Sequence, residues 1–137
     1  MVATLDGIEH VLVSLSQVLH DRRAHSRKQL LLHKLTIGQG WTHGLQECLT
    51  KRLHVKVEDQ KKMFYVDTQS YNVRQEEEMS RGYPGLTTRY CLHEVVVYVE
   101  NPLDPDMERL GLPEARSFST MEGAIGTCDV KARLNVW

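Results

Sequence analysis

From Leu5 to Leu19 the apolar residues Leu5, Ile8, Leu12, Leu15 and Leu19 recur at steps of three and four, and Val11 and Val18 widen the stripe. Glu9, His10, Ser14 and Gln17 lie off it, so the spacing predicts an amphipathic helix with Thr4 as its hydroxyl N-cap ahead of Asp6 and Gly7. Ile8, Leu12, Leu15 and Leu19 also read as a and d positions of a heptad pattern, too short to choose self-association over core packing. Asp21 to Lys28 is polar and reads as a solvated helical turn or joint before the apolar run Leu30 to Leu35. Gly38-Gln39-Gly40 breaks the chain, and Trp41, Leu45 and Leu49, with Cys48 beside them, predict a shorter helix over about 41–52.

The period then changes to two. Leu53, Val55 and Val57 alternate with His54 and Lys56, Glu58 to Lys62 is polar, and Met63-Phe64-Tyr65-Val66 is apolar, which predicts a hairpin extended through Tyr71 to Arg74. The acidic run Glu76-Glu77-Glu78 leads to a turn at Gly82-Tyr83-Pro84-Gly85, and Thr87 to Glu100, rich in β-branched and aromatic residues, is the strongest strand. Residues 101–126, with Pro102, Pro105 and Pro113, read as a long connection holding one short helical turn around Asp106 to Leu110. In the final strand Cys128, Val130, Ala132, Leu134 and Val136 alternate with Asp129, Lys131, Arg133, Asn135 and Trp137; the first row is expected in the core, the second wet or covered by a partner. Helices first and strands after predict a single α+β domain over 1–137, with one or two N-terminal helices packed on an antiparallel sheet of four or five strands.

Composition agrees with an ordinary globular domain: 137 residues, 41% hydrophobic and 26% charged, enough chain for a core without disulfides. Whole-chain disorder, a collagen-like repeat and a coiled-coil rod are excluded. Cys48, Cys91 and Cys128 are unpaired in spacing, the N-terminus carries Asp6 and Glu9 where a signal would be apolar, and no apolar run approaches about 20 residues. An intracellular, cytoplasmic protein with no signal peptide and no membrane association is expected.

A formal net charge of -1 removes the strongly basic balance of a dedicated DNA-packaging protein. Residues 1–62 hold ten Lys/Arg against six Asp/Glu, whereas 63–137 hold seven against twelve. Opposed halves of this kind either steer association between copies or mingle on one surface. Within the basic half, Arg22, Arg23, Arg27 and Lys28, joined by Lys51, Arg52 and Lys56, form the best phosphate-contacting set, although no aromatic side chains interleave the 22–28 cluster for base stacking.

Catalytic signatures are sparse. Cys91 and His93 share one face of a strand and have Cys128 and Asp129 as conceivable partners, yet Cys91 and Cys128 continue apolar rows and read as core thiols; no metal and no cofactor is expected. Gly38-Gln39-Gly40 lacks a P-loop lysine, and Asp104-x-Asp106-x-Glu108 lacks the glycine and closing glutamate of a calcium loop. Glu94 interrupts an apolar strand, so a pocket lined by Trp41, Tyr65, Tyr90 and Tyr98 with Glu94 or His93 as acid or base is the most enzyme-like arrangement; pairing of Glu94 with Arg89, Lys131 or Arg133 is its structural alternative.

The leading expectation is a non-enzymatic protein-interaction or assembly subunit, a homo-oligomer whose contacts use the basic residues Arg22, Arg23, Arg27 and Lys28 together with Val96, Tyr98 and Trp137. In bare layout the chain is similar to small virion joining proteins that form rings. The small-molecule or enzymatic pocket is the second expectation, and nucleic-acid binding through the 22–28 cluster the third.

Overall fold

The computed structural model describes residues 1–19, 24–80, 82–122 and 133–137, apart from the side chains of Leu19, His25 and Arg27. The stretch predicted as an N-terminal helix is three strands. β1 (Val2–Leu5) and β2 (Ile8–Val11) form a hairpin, and β3 (Val13–Leu19) follows at once. The reason lies in Asp6-Gly7, which read as part of a cap. Both residues have positive φ, 50° and 77°, the condition for a two-residue hairpin turn whose twist matches its strands. Val2, Thr4, Ile8, Val11, Val13 and Val18 are β-branched and favour that outcome over a helix. The polar joint is likewise part of a strand, β4 (Ala24–Leu30), antiparallel to β3.

Trp41–Leu53 is α1, as the spacing predicts, ending at His54 in the left-handed conformation. The expected hairpin loop after it is instead α2 (Val57–Met63). Glu58 and Asp59 in its first turn and Lys61 and Lys62 in its last complement the helix dipole. Gln60 fixes it: the buried side-chain amide donates toward the carbonyls of Val55 (3.0 Å) and Gln46 (3.1 Å) and the Thr50 hydroxyl (2.9 Å), tying α2 to α1.

β5 (Phe64–Met79) and β6 (Thr87–Val99) make a long antiparallel pair, followed by a 3-10 helix (Pro105–Leu110), β7 (Ser119–Glu122) and β8 (Arg133–Val136). Asp104 caps the 3-10 helix by accepting the Asp106 N–H at 2.9 Å, so its carboxylate closes a turn rather than opening a calcium loop. The single predicted sheet is two sheets of four, ordered β2-β1-β6-β5 and β4-β3-β8-β7, antiparallel except where β1 runs parallel to β6 at Val2 and Tyr98. The fold is α+β, but its helices lie in the middle of the chain and not at its start. The layout likeness to virion joining proteins goes with the N-terminal helix.

Leu49 and Leu53 of α1, Val55, Met63, Phe64, Val97, Val99, Met107, Leu110 and Trp137 share one buried cluster that draws on both sheets. Trp137, expected at an interface, is therefore core. The alternation of β8 was right and its sidedness inverted: Asn135 is 1% exposed and Trp137 5%, while Leu134 and Val136 are half-buried. Polar partners make this possible. Gln17 Nε2 donates to Asn135 Oδ1 at 2.9 Å and Trp137 Nε1 to Thr120 Oγ1 at 2.8 Å, across the register that aligns β3, β8 and β7. The Cys128 and Asp129 end of the predicted strand lies outside the described residues.

Each sheet takes two strands from the basic half of the chain and two from the acidic half. The split charge therefore mingles in space, and cross-half ion pairs absorb part of it: Arg52 with Glu122 at 2.9 Å, and Lys62 with Asp106 at 3.6 Å.

Candidate interaction surface

The β5–β6 pair outruns the body. β1 joins β6 only at Tyr98, so from Asn72 to Met79 and from Thr87 to Glu94 the sheet is two strands wide, a ribbon about 25 Å long at the usual rise per residue. Its register runs from Asn72 opposite Glu94 to Met79 opposite Thr87. Paired residues share a face. One face carries Arg74, Glu76, Tyr90, Leu92 and Glu94, and the other Val73, Glu77, Arg89, Cys91 and His93. Two cross-strand ion pairs favour this register, Arg74 with Glu94 at 3.1 Å and Arg89 with Glu77 at 2.7 Å, and Arg74 also bonds Glu76 along its own strand. Exposed pairs of this kind favour one alignment but add little stability.

Where the ribbon leaves the body, β5 is irregular. Asp67 faces Val96 and Asn72 faces Glu94, so Thr68 to Tyr71 bulge opposite Val95. The bulge is built from side chains. Asp67 Oδ1 accepts the Gln69 N–H (3.0 Å), the Ser70 hydroxyl donates to the Asp67 carbonyl (2.7 Å), and the Val96 N–H donates to Ser70 Oγ (2.8 Å). The result is that Tyr71 turns to the His93 side, where its hydroxyl meets His93 Nδ1 at 2.7 Å. Its ring stacks on Trp41, in the first turn of α1, with centroids 4.7 Å apart.

The residues predicted to line a pocket divide between two sides of the ribbon. Tyr65, Tyr90, Tyr98 and Glu94 lie on one face, Tyr65 stacking on Tyr98 at 6.4 Å, while Trp41 sits with Tyr71 on the other. Glu94 is exposed and bound to Arg74, its cross-strand diagonal neighbour; of the partners expected for it, Arg89 is bound to Glu77 and Lys131 lies outside the described residues. A cavity of about 250 Å³ does exist, between Leu12, Leu15, Leu112, Phe118 and Trp137 with Arg116 at its lining, and shares none of the residues expected.

Val96 and Tyr98 are half-buried, on the side of β6 opposite the buried Val97 and Val99. By register Tyr98 belongs to an apolar row that crosses all four strands: Val11, Val2, Tyr98 and Tyr65. The ends of the row, Val11 and Tyr65, are 51% and 54% exposed. Sequence reasoning missed this row because it reads Val11 on a helical stripe and leaves Val2 ahead of the N-cap Thr4.

Of the basic set, Arg22 and Arg23 lie outside the described residues and Arg27 and Lys28 are on β4, an edge strand. Lys51 is bound to Glu47 at 3.0 Å and Arg52 to Glu122, leaving Lys56 exposed at the N-terminus of α2. Glu47 also accepts from Gln39 and contacts His33; these hydrogen bonds, Gln39 first, hold its carboxyl down at about 2 and fasten the Gly38-Gln39-Gly40 loop to α1.

Cys91, expected as core, is exposed, because the apolar row of β6 runs past the edge of the body before it reaches Cys91. No three His, Cys, Asp or Glu side chains converge among the described residues, and no described helix is long and apolar enough to cross a membrane. No protein-family model, curated protein or solved structure matches this chain.

Proposed function

We propose that this chain is a non-enzymatic assembly subunit that associates with copies of itself, the β5–β6 ribbon of one protomer docking on the body of the next. The observation that carries this reading is the ribbon. A two-stranded hairpin is marginal in water unless a third layer or strand supports it, yet this one displays Val73, Tyr90, Met79, Leu86 and Tyr83 at 45 to 70% exposure. A partner surface supplies the missing support.

The open edges are also electrically unlike: β5 carries Glu76-Glu77-Glu78 along an edge strand, and β4 carries Arg27 and Lys28 along another. Two β5 edges face to face would set glutamates against glutamates, whereas β5 against β4 sets acid against base. That contact is head-to-tail, and repeated it closes a ring or extends a filament.

The test is light scattering coupled to size exclusion across a range of protein concentrations. A mass that exceeds the monomer's and grows with concentration supports the reading. A monomer at every concentration would overturn it.

A further inference from the structure

Independently of that reading, the face of the ribbon that carries His93 holds an ordered chain of side chains. Trp41 is fixed by α1, whose Cys48, Leu49 and Leu53 are buried. Tyr71 is fixed by the bulge and stacks on Trp41. The Tyr71 hydroxyl lies 2.7 Å from His93 Nδ1, and on the far side of the same imidazole Nε2 lies 3.8 Å from Cys91 Sγ, hydrogen-bond distance for sulfur. Cys91 is exposed, on the same face two residues along the strand. A nucleophile, a base in contact with it and a hydroxyl that orients the base are the three parts of an activated thiol.

We propose that Cys91 is a thiolation site, reacting with low-molecular-weight disulfides, with His93 as the base that takes its proton and Tyr71 as the residue that positions His93. With Nδ1–H donating to the Tyr71 oxygen, the lone pair on Nε2 faces the thiol. As Sγ attacks one sulfur of the disulfide, the S–S bond breaks and a new S–S bond forms to Cys91. The thiol proton passes to Nε2 and then to the departing thiolate, so one Cys91 thiol and one small disulfide become one mixed disulfide and one small thiol. No further oxidant is needed. Arg89, the next residue along the same face toward the tip, is bound to Glu77 at 2.7 Å, which leaves His93 as the base beside the thiol.

Cys48 supplies the contrast. It is 5% exposed, and burial pushes its thiol up to about 11, which leaves it neutral and out of reach. A free thiol is about 3% ionised at pH 7, so full proton transfer is worth at most about thirtyfold in rate. A proton shared between Sγ and Nε2, rather than fully transferred, reduces that to about fivefold.

The experiment incubates the native chain with oxidised glutathione at pH 7 and maps each cysteine by peptide mass spectrometry over time. Cys91 is expected to be modified first, Cys48 to stay free, and the rate at Cys91 to drop about fivefold when the chain is unfolded in urea. His93→Ala is expected to give the same drop with Cys48 still protected, free imidazole in the buffer to restore much of it, and Tyr71→Phe to give a smaller loss. If Cys91 reacts no faster in the native chain than in urea, the proposal fails whatever the variants do. It fails equally if His93→Ala, with Cys48 still protected, leaves the rate unchanged, or if imidazole restores nothing.

Discussion

Cys48 shows how one residue's burial becomes a property of the whole fold. Its thiol packs in α1 beside Leu49, and loss of hydration there outweighs the attraction of Arg52 and raises the thiol from its ordinary value near 9 to about 11. A raised value favours the protonated, folded state. The contribution is fully present below pH 9, where the unfolded thiol is also neutral, and is lost as pH climbs from 9 toward 11. The loss amounts to about 2 to 3 kcal/mol. Urea midpoints of the native chain are therefore expected to fall over that interval, and those of Cys48→Ala to fall less; parallel curves would show that another group governs the alkaline limb. Asn135 marks the opposite case, an amide held at 1% exposure with its Oδ1 satisfied by Gln17 and its Nδ2 without a partner.

At the scale of elements, Gln60 decides whether residues 57–63 are a loop or a helix. Its amide bridges to the Val55 carbonyl and the Thr50 hydroxyl, and Val55 is wholly buried. Gln60→Met keeps the length and removes the donor, which strands a buried carbonyl at a cost of about 1 to 3 kcal/mol, read as a lower midpoint in urea unfolding. An unchanged midpoint would place the stability of α2 in its helix-dipole charges. A polar anchor of this kind is invisible to hydrophobic patterning, which explains the missed helix. α1 and β6 were legible because their periodicity coincides with what they bury: Leu49 and Leu53 at one helical step, Val97 and Val99 at one strand step. The N-terminal strands were not, since Leu5, Ile8, Leu12 and Leu15 fall at helical steps of three and four although a hairpin turn and a strand break divide them; the Asp6-Gly7 turn and the β-branched residues carry the strand signal. The interface residues divide on the same principle. Val96 and Tyr98 were placed by strict alternation along a correctly read strand, whereas Trp137 was misplaced because hydrogen bonds to polar residues let the unexpected row of β8 turn inward.

For the molecule as a whole, interleaving of the two halves changes what charge can do. Arg52 and Lys62 are paired internally with acidic partners from the second half, and the edge strands β5 and β4 carry further exposed charge. Glu76 and Glu77 are already held by Arg74 and Arg89, whereas Glu78 stands exposed on β5 with no such pair among the described residues, and Lys28 stands exposed on β4. A contact between these edges places opposite charges together with water only partly excluded, where one pair contributes about 1 kcal/mol and sets orientation more than affinity. Reversal of either charge, Glu78→Lys or Lys28→Glu, is therefore expected to weaken association severalfold and to do so most at low salt. The two reversals combined restore a complementary edge and with it the association of the original chain, measured as weight-average mass against concentration. Failure of the double variant to recover, with both single variants weakened, would separate the ribbon from β4: assembly would then run through the apolar row Val11, Val2, Tyr98 and Tyr65, and Tyr65→Ser would be the substitution that abolishes it.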